Sequence, residues 1–220
     1  MTFRRFTRRG VPILLGLLLA AYVPSGVCAD TNEALPKIKE PDVIYVPTPQ
    51  PVVEKMLELA EVKKGDVVYD LGCGDGRIVV TAAKKYGVKA VGFDIDPQRV
   101  REARENVRSS HVEHLVTIKQ ADIFTLDLRE ASVVTLYLLP ELNVRLMPQL
   151  AKLKPGSRIV SHDFDMRGAK PVQVVDITTG GQPDSDEDYS RSHTIYKWVV
   201  PWETEDGGRN KPKTAASAQQ

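Results

Sequence analysis

The chain is short of cysteine. Only Cys28 and Cys73 occur in 220 residues, one in an apolar N-terminal segment and one in a glycine-rich loop, so no internal disulfide framework is available. Cys73 reads as a small loop residue without a redox role. An excess of charge is missing too, since 30 Lys and Arg stand against 29 Asp and Glu. The chain therefore lacks the electrostatic footprint of a nucleic-acid binder. No internal repeat is visible, and no His, Cys or acid cluster has the spacing of metal ligands. Neither a metal nor a nucleic-acid partner is expected. What the chain does have is a hydrophobic share of 42% over 220 residues, enough for one domain with a sizeable core.

The first 29 residues stand apart. Arg4, Arg5, Arg8 and Arg9 precede an apolar run from Ile13 to Val23, and Val27-Cys28-Ala29 supplies small residues for cleavage, the arrangement of a secretory signal peptide. An uncleaved membrane anchor is the competing reading, because the run is borderline for spanning. The first predicts an exported domain, periplasmic or secreted; the second predicts a membrane-anchored one. Removing these residues leaves 26 basic against 29 acidic side chains, which argues further against nucleic acid. Residues 30–47 read as a Pro-rich extended lead-in, 48–202 as the folded domain, and 203–220, with almost no apolar residues, as a disordered tail.

Within the domain, strands and helices alternate as in a parallel α/β sheet. Strands are predicted over 66–71, 89–94, 115–119, 132–139 and 157–162, and helices over 52–59, 76–86, 97–109 and 142–153. The helix over 97–109 turns Val100, Ala103 and Val107 inward and leaves Arg99, Arg101, Arg104 and Arg108 as a solvated face. After Pro171, strand-like segments at 172–177 and 193–199 flank a polar, turn-rich stretch over 180–188 and fit a terminal antiparallel pair.

The most informative residues are Asp70-Leu71-Gly72-Cys73-Gly74-Asp75-Gly76, a strand-to-helix turn. Glycines let backbone approach a ligand closely, and the following helix offers unpaired N–H groups to it. A dinucleotide fingerprint needs G-x-G-x-x-G, but Arg77 holds the third-glycine position. A P-loop needs Lys-Ser or Lys-Thr after the glycines, and neither is present. Asp70 beside a phosphate would add like-charge repulsion. A cofactor carrying an ammonium and a sulfonium suits that carboxylate better.

The segment resembles motif I, D-x-G-x-G-x-G, of class I (seven-β-strand) S-adenosylmethionine-dependent methyltransferases. The resemblance implies S-adenosyl-L-methionine as cofactor, with Asp70, Gly72, Gly74 and Gly76 around its methionine part. Val91-Gly92-Phe93-Asp94-Ile95-Asp96 is similar to the family's second strand, which places Asp94 on the ribose with Ile95 beside it. A NAD ribose would take such an acid equally well. Gln120-Ala121-Asp122-Ile123-Phe124 resembles the segment after the third strand, which implies Asp122 on the adenine amino group and Ile123 over the ring. The implied fold is a Rossmann-like seven-stranded α/β sheet, mostly parallel with a terminal antiparallel strand, and helices on both faces.

Tyr45-Val46-Pro47-Thr48, Leu136-Tyr137-Leu138-Leu139-Pro140-Glu141 and Gly156-Ser157-Arg158-Ile159-Val160-Ser161 narrow the resemblance. Together they are similar to the lysine methyltransferases of the ATP synthase c-subunit and adenine nucleotide translocase family, over roughly residues 43 to 170. That implies a protein lysine as acceptor and Tyr45 and Thr48 as caps of the cofactor pocket; a lead-in merely stiffened by Pro47 and Pro49 is the plainer alternative. Beyond residue 170 the sequence is not expected to align with that family.

Methyl transfer from a sulfonium needs alignment and exclusion of water more than obligatory side chains. An amine acceptor must be neutral when it attacks, which a carboxylate, a Tyr or an apolar wall favours. Tyr137, Glu141 and Asp163 lie near strand ends, where open α/β sheets bind ligands, and are the catalytic candidates on the substrate side. His111, His114 and His193 are expected at the surface, and His162 in a structural role. A small-molecule acceptor, a binding module without turnover and, disfavoured by Arg77, a NAD oxidoreductase are the alternatives.

Overall fold

The computed structural model describes residues 44–180 and 190–208. The signal or anchor segment, most of the lead-in and the end of the tail lie outside the described residues. In chain order the elements are α1 (Gln50–Leu59), β1 (Val67–Leu71), α2 (Arg77–Tyr86), β2 (Lys89–Asp94), α3 (Pro97–Ser109), β3 (Val116–Gln120), β4 (Val133–Leu136), α4 (Pro140–Leu150), β5 (Arg158–His162), β6 (Ala169–Lys170), β7 (Gln173–Thr179), β8 (Arg191–Val199) and β9 (Glu203–Thr204).

Strand β1 is buried at four of its five positions, so it needs cover on both faces, as a central parallel strand does. It pairs in parallel with β2 and β4, and the full order is β3-β2-β1-β4-β5-β8-β7. Only β8 runs against the others, pairing antiparallel with both β5 and β7. Alternation along the strands divides the core. Val68, Val133 and Val160 pack with α1, α2 and α3 on one face, while Leu71, Leu136 and Ile159 pack with α4 and Trp198 on the other. This is the seven-stranded α/β fold the motifs imply.

Local chemistry explains the boundaries. Helix α2 starts after Gly76 and stops at Gly87, both left-handed at φ 78° and 63°, the conformation glycine adopts without a Cβ penalty. Helix α3 has Pro97 in its first turn and Asp96 as N-cap, whose carboxylate accepts the Gln98 N–H. Strand β4 stops at Leu136, three residues short of the expectation, because Pro140 cannot donate to a ladder and instead opens α4. The tail is a correction as well. Fully buried Trp202 anchors the residues after it, so Glu203–Thr204 pairs with Ala169–Lys170 in a small second sheet and order continues to residue 208. Composition alone did not show that one indole would hold a polar segment.

Candidate active site

Strand β1 leads through α2 to β2 on one side, whereas the chain from β4 leads through α4 to β5 on the other. Such a reversal opens a crevice at the carboxyl ends of the strands. Here it is a cleft of about 940 Å³, measured out to its solvent-open mouth and walled by the 44–48 strap, the glycine loop, the ends of β2 and β3, and Tyr137 with Leu138.

Gly72, Gly74 and Gly76 all have positive φ, at 82°, 53° and 78°. At Gly74 a Cβ would run into the Tyr45 ring, so the bare backbone lets the strap lie on the loop. Arg77 fastens the two. Its guanidinium pairs with Asp75 at 2.7 Å and donates to the Thr48 carbonyl at 2.8 Å, and Arg99 stands over the Tyr45 ring at 4.7 Å. Burial pushes the Asp75 carboxyl up, but hydrogen bonds from Arg77 bring it to a net value below the usual range. The residue that spoils a dinucleotide fingerprint is thus a clasp for the pocket wall.

The three acids of the motifs line one cleft. Asp70 is the most unusual. Its Oδ1 accepts the Thr135 hydroxyl at 2.7 Å, while its buried Oδ2 has no partner. Burial, helped by the negative charges of Asp94 and Asp75, raises this carboxyl to about 7 against the opposing Thr135 hydrogen bond. A buried carboxylate oxygen without a donor is expensive, and a ligand ammonium would supply the missing partner. Asp94 is positioned by backbone: its Oδ2 accepts the Gly74 N–H at 2.8 Å and its Oδ1 the Asp96 N–H at 2.9 Å. Each oxygen keeps a further lone pair for hydroxyls. Asp122 accepts the Phe124 N–H at 3.0 Å and caps a short 3-10 turn that brings Ile123 and Phe124 to the wall. Ile95 adds an apolar surface beside Asp94. Cys73 is buried with its thiol pushed well up by burial, which leaves it unreactive.

The substrate-side candidates separate. Tyr137 lines the cleft and stacks on His162, with ring centroids 3.9 Å apart. Burial and the Asp163 charge hold its hydroxyl above the usual phenol value. Asp163 sits behind that wall, next to His162 and His193. Glu141 does not join them; it faces solvent in an exposed pair with Arg167 at 3.4 Å and does not line the cleft. His111 and His114 are exposed, as expected, but His193 is buried to 1% exposure. It bonds His162 at 2.9 Å and Thr179 at 2.9 Å. The expectation of a surface histidine failed because β8 is not an edge strand: β5 and β7 cover it on both sides. Thirty-one residues separate the two histidines, so no local spacing signalled their contact.

Comparison with known proteins gives this geometry its relatives. Residues 70–173 match the family model described as the ANTKMT methyltransferase domain. A protein-lysine N-methyltransferase of Saccharolobus islandicus is 47% identical over 162 residues, covering 73% of this chain and 95% of its own. The mouse lysine N-methyltransferase of the ATP synthase c-subunit is 28% identical over 205 residues, 91% of this chain and 77% of its own. A Salinibacter ruber crystal structure, described as an RNA methyltransferase in complex with S-adenosyl-L-homocysteine, superposes with a TM-score of 0.62 at 47% identity, covering 71% of this chain and 94% of that one. The chain belongs to the ANTKMT-type family of class I methyltransferases.

Proposed function

We propose that this protein transfers a methyl group from S-adenosyl-L-methionine to the side-chain amine of a lysine in another protein. The observation that carries the reading is the buried, partnerless Oδ2 of Asp70 at the foot of a cleft that also presents Asp94 and Asp122. When bound, the cofactor supplies a methyl group already activated as a sulfonium. Asp70 would hold its α-ammonium, Asp94 its ribose hydroxyls and Asp122 its adenine, with Ile95, Ile123 and Phe124 against the apolar faces. The strap residues Tyr45 and Thr48, clasped by Arg77, exclude water from the same cleft. On the acceptor side, desolvation against Tyr137 and Leu138 lowers the pKa of an incoming lysine ammonium, so the amine is neutral when it attacks. The Tyr137 hydroxyl oxygen accepts a hydrogen bond from an N–H of that amine, which leaves the nitrogen lone pair free for the methyl carbon.

The lysine acceptor rests on the S. islandicus and mouse relatives. An RNA acceptor is the second reading, favoured by the description of the S. ruber relative. Against it stands the acidic balance of residues 30–220. Calorimetric titration tests the cofactor: S-adenosylmethionine binds and NAD does not, and failure to bind the former sinks the reading. Labelled methyl groups offered with whole-cell fractions test the acceptor. Protease-sensitive label supports lysine, and ribonuclease-sensitive label replaces it with RNA.

We further infer that residues 1–29 carry the domain to or across a membrane, from the four arginines ahead of the apolar run. Among the described residues no helix is long and apolar enough to cross one. Protease protection in fractionated cells tests this, and a soluble, cytosolic full-length chain would overturn it.

A further inference from the structure

The contact between β5 and β8 gathers three groups that the cofactor cleft does not use. We propose that His162, His193 and Asp163 bind one divalent transition-metal ion of the zinc class, one ring behind the acceptor wall. The proposal is independent of the function proposed above. His162 Nε2 and His193 Nδ1 stand 2.9 Å apart, and Asp163 Oδ2 lies 3.3 Å from the first and 3.5 Å from the second. Ligand atoms 2.0–2.1 Å from a tetrahedral ion are separated by roughly 3.3 Å. Two of the three edges already match, and the third needs the rings to part by about 0.4 Å.

The surroundings favour an ion as well. Each ring's outer nitrogen faces a hydroxyl: His162 Nδ1 contacts Thr48 Oγ1 at 3.2 Å, and His193 Nε2 contacts Thr179 Oγ1 at 2.9 Å. Such outer partners orient metal-binding imidazoles and fix which nitrogen turns inward. Asp163 is aimed in the same way. Its Oδ1 accepts the Thr194 N–H at 3.0 Å, leaving Oδ2 toward the rings, and its backbone is held left-handed at φ 57°. Two imidazoles and one carboxylate suit Zn²⁺, Co²⁺ or Ni²⁺ rather than Mg²⁺ or Ca²⁺. Arg191, mostly exposed and 4.0 Å from Asp163 Oδ2, has solvent to move into when a cation takes its place. A bound ion would brace Tyr137 through His162 and Thr48 through its hydroxyl, stiffening the wall of the cleft.

The test uses full-length protein carrying no polyhistidine tag, stripped with a chelator and titrated with Zn²⁺ alone and Co²⁺ alone. The expected result is one ion per chain, a Zn²⁺-dependent rise in Tm, and visible Co²⁺ absorption typical of low coordination. Asp163→Asn keeps the shape of the side chain and is expected to weaken Zn²⁺ by about 100-fold, as is His193→Gln, each judged only where the metal-free Tm shows a folded protein. The exposed double variant His111→Gln/His114→Gln keeps the site. No stoichiometric binding, binding unchanged in the folded Asp163 and His193 variants, or binding lost in the surface double variant would overturn the proposal.

Discussion

The two sides of the cleft are built on different principles. On the cofactor side, Asp70, Gly74, Asp94 and Asp122 each sit at the end of a parallel strand or in the turn after it; Asp94 and Asp122 are held by backbone of neighbouring turns, and Asp70 by Thr135 on the adjacent strand β4. On the acceptor side, Tyr137 is held by a histidine from β5, which is held in turn by another from β8. The first side repeats one arrangement at the ends of successive parallel strands. The second depends on the antiparallel strand β8 packing against β5. On the function proposed above, single changes at these strand ends act on cofactor recognition directly, whereas the Tyr137 wall depends on the packing behind it.

Substitutions sharpen this contrast, and the largest effect is expected at Gly74. A valine there meets the Tyr45 ring and a left-handed backbone, so S-adenosylmethionine affinity should fall on the order of 100-fold by calorimetry. Retention of wild-type affinity would show that the strap does not close on the loop. Asp70→Asn comes next. Loss of a charged hydrogen bond predicts about 10- to 100-fold weaker cofactor binding. Yet the folded variant should be more stable than wild type at pH 8, because a buried carboxylate without a partner is gone.

The sign of that effect gives a pH prediction. The folded Asp70 value of about 7 lies above the ordinary 3.8, so the folded protein holds a proton that the unfolded chain releases. Stability of the cofactor-free protein then falls as pH rises from about 4 through about 7, while cofactor affinity rises over the upper part of that window as the carboxylate forms. Chemical denaturation and calorimetry across the range check both slopes, and Asp70→Asn should flatten them.

On the acceptor side, Tyr137→Phe should lower turnover by about tenfold or more with cofactor affinity within about threefold. Equal losses in both would merge the two sides and defeat the distinction. The smallest effect belongs to Glu141→Ala, whose exposed ion pair with Arg167 predicts a stability change below about 1 kcal/mol and unaltered turnover.

The same contrast explains what could be read from the amino acids. The ends of β1 and β2 follow from apolar runs broken by glycine and aspartate, and the resemblance to motif I and to the segments after it singled out Asp70, Asp94 and Asp122. The fold class, and the gathering of Asp70, Asp94 and Asp122 in one cleft, were legible for that reason. The burial of His193 was not, since it follows from β8 entering between β5 and β7. Nor was the pairing of β9 with β6, which depends on where Trp202 is buried. Glu141 was placed near the cleft by its nearness to a strand end, but α4 begins at Pro140 and turns it outward. Arg77 was read only for what it replaced, and its clasp on Thr48 spans 29 residues.

Strand β8 has one more consequence, for the order in which the chain is made. It lies between β5 and β7 but is synthesised after both, and among the described residues β7 pairs with no other strand. A polypeptide ending anywhere before Arg191 thus loses two strands by losing one, along with the tryptophan at position 198 that seals one face of the core. Strands β1 to β5 are complete once residue 162 is made, yet the histidine that packs behind Tyr137 through His162 arrives only with β8.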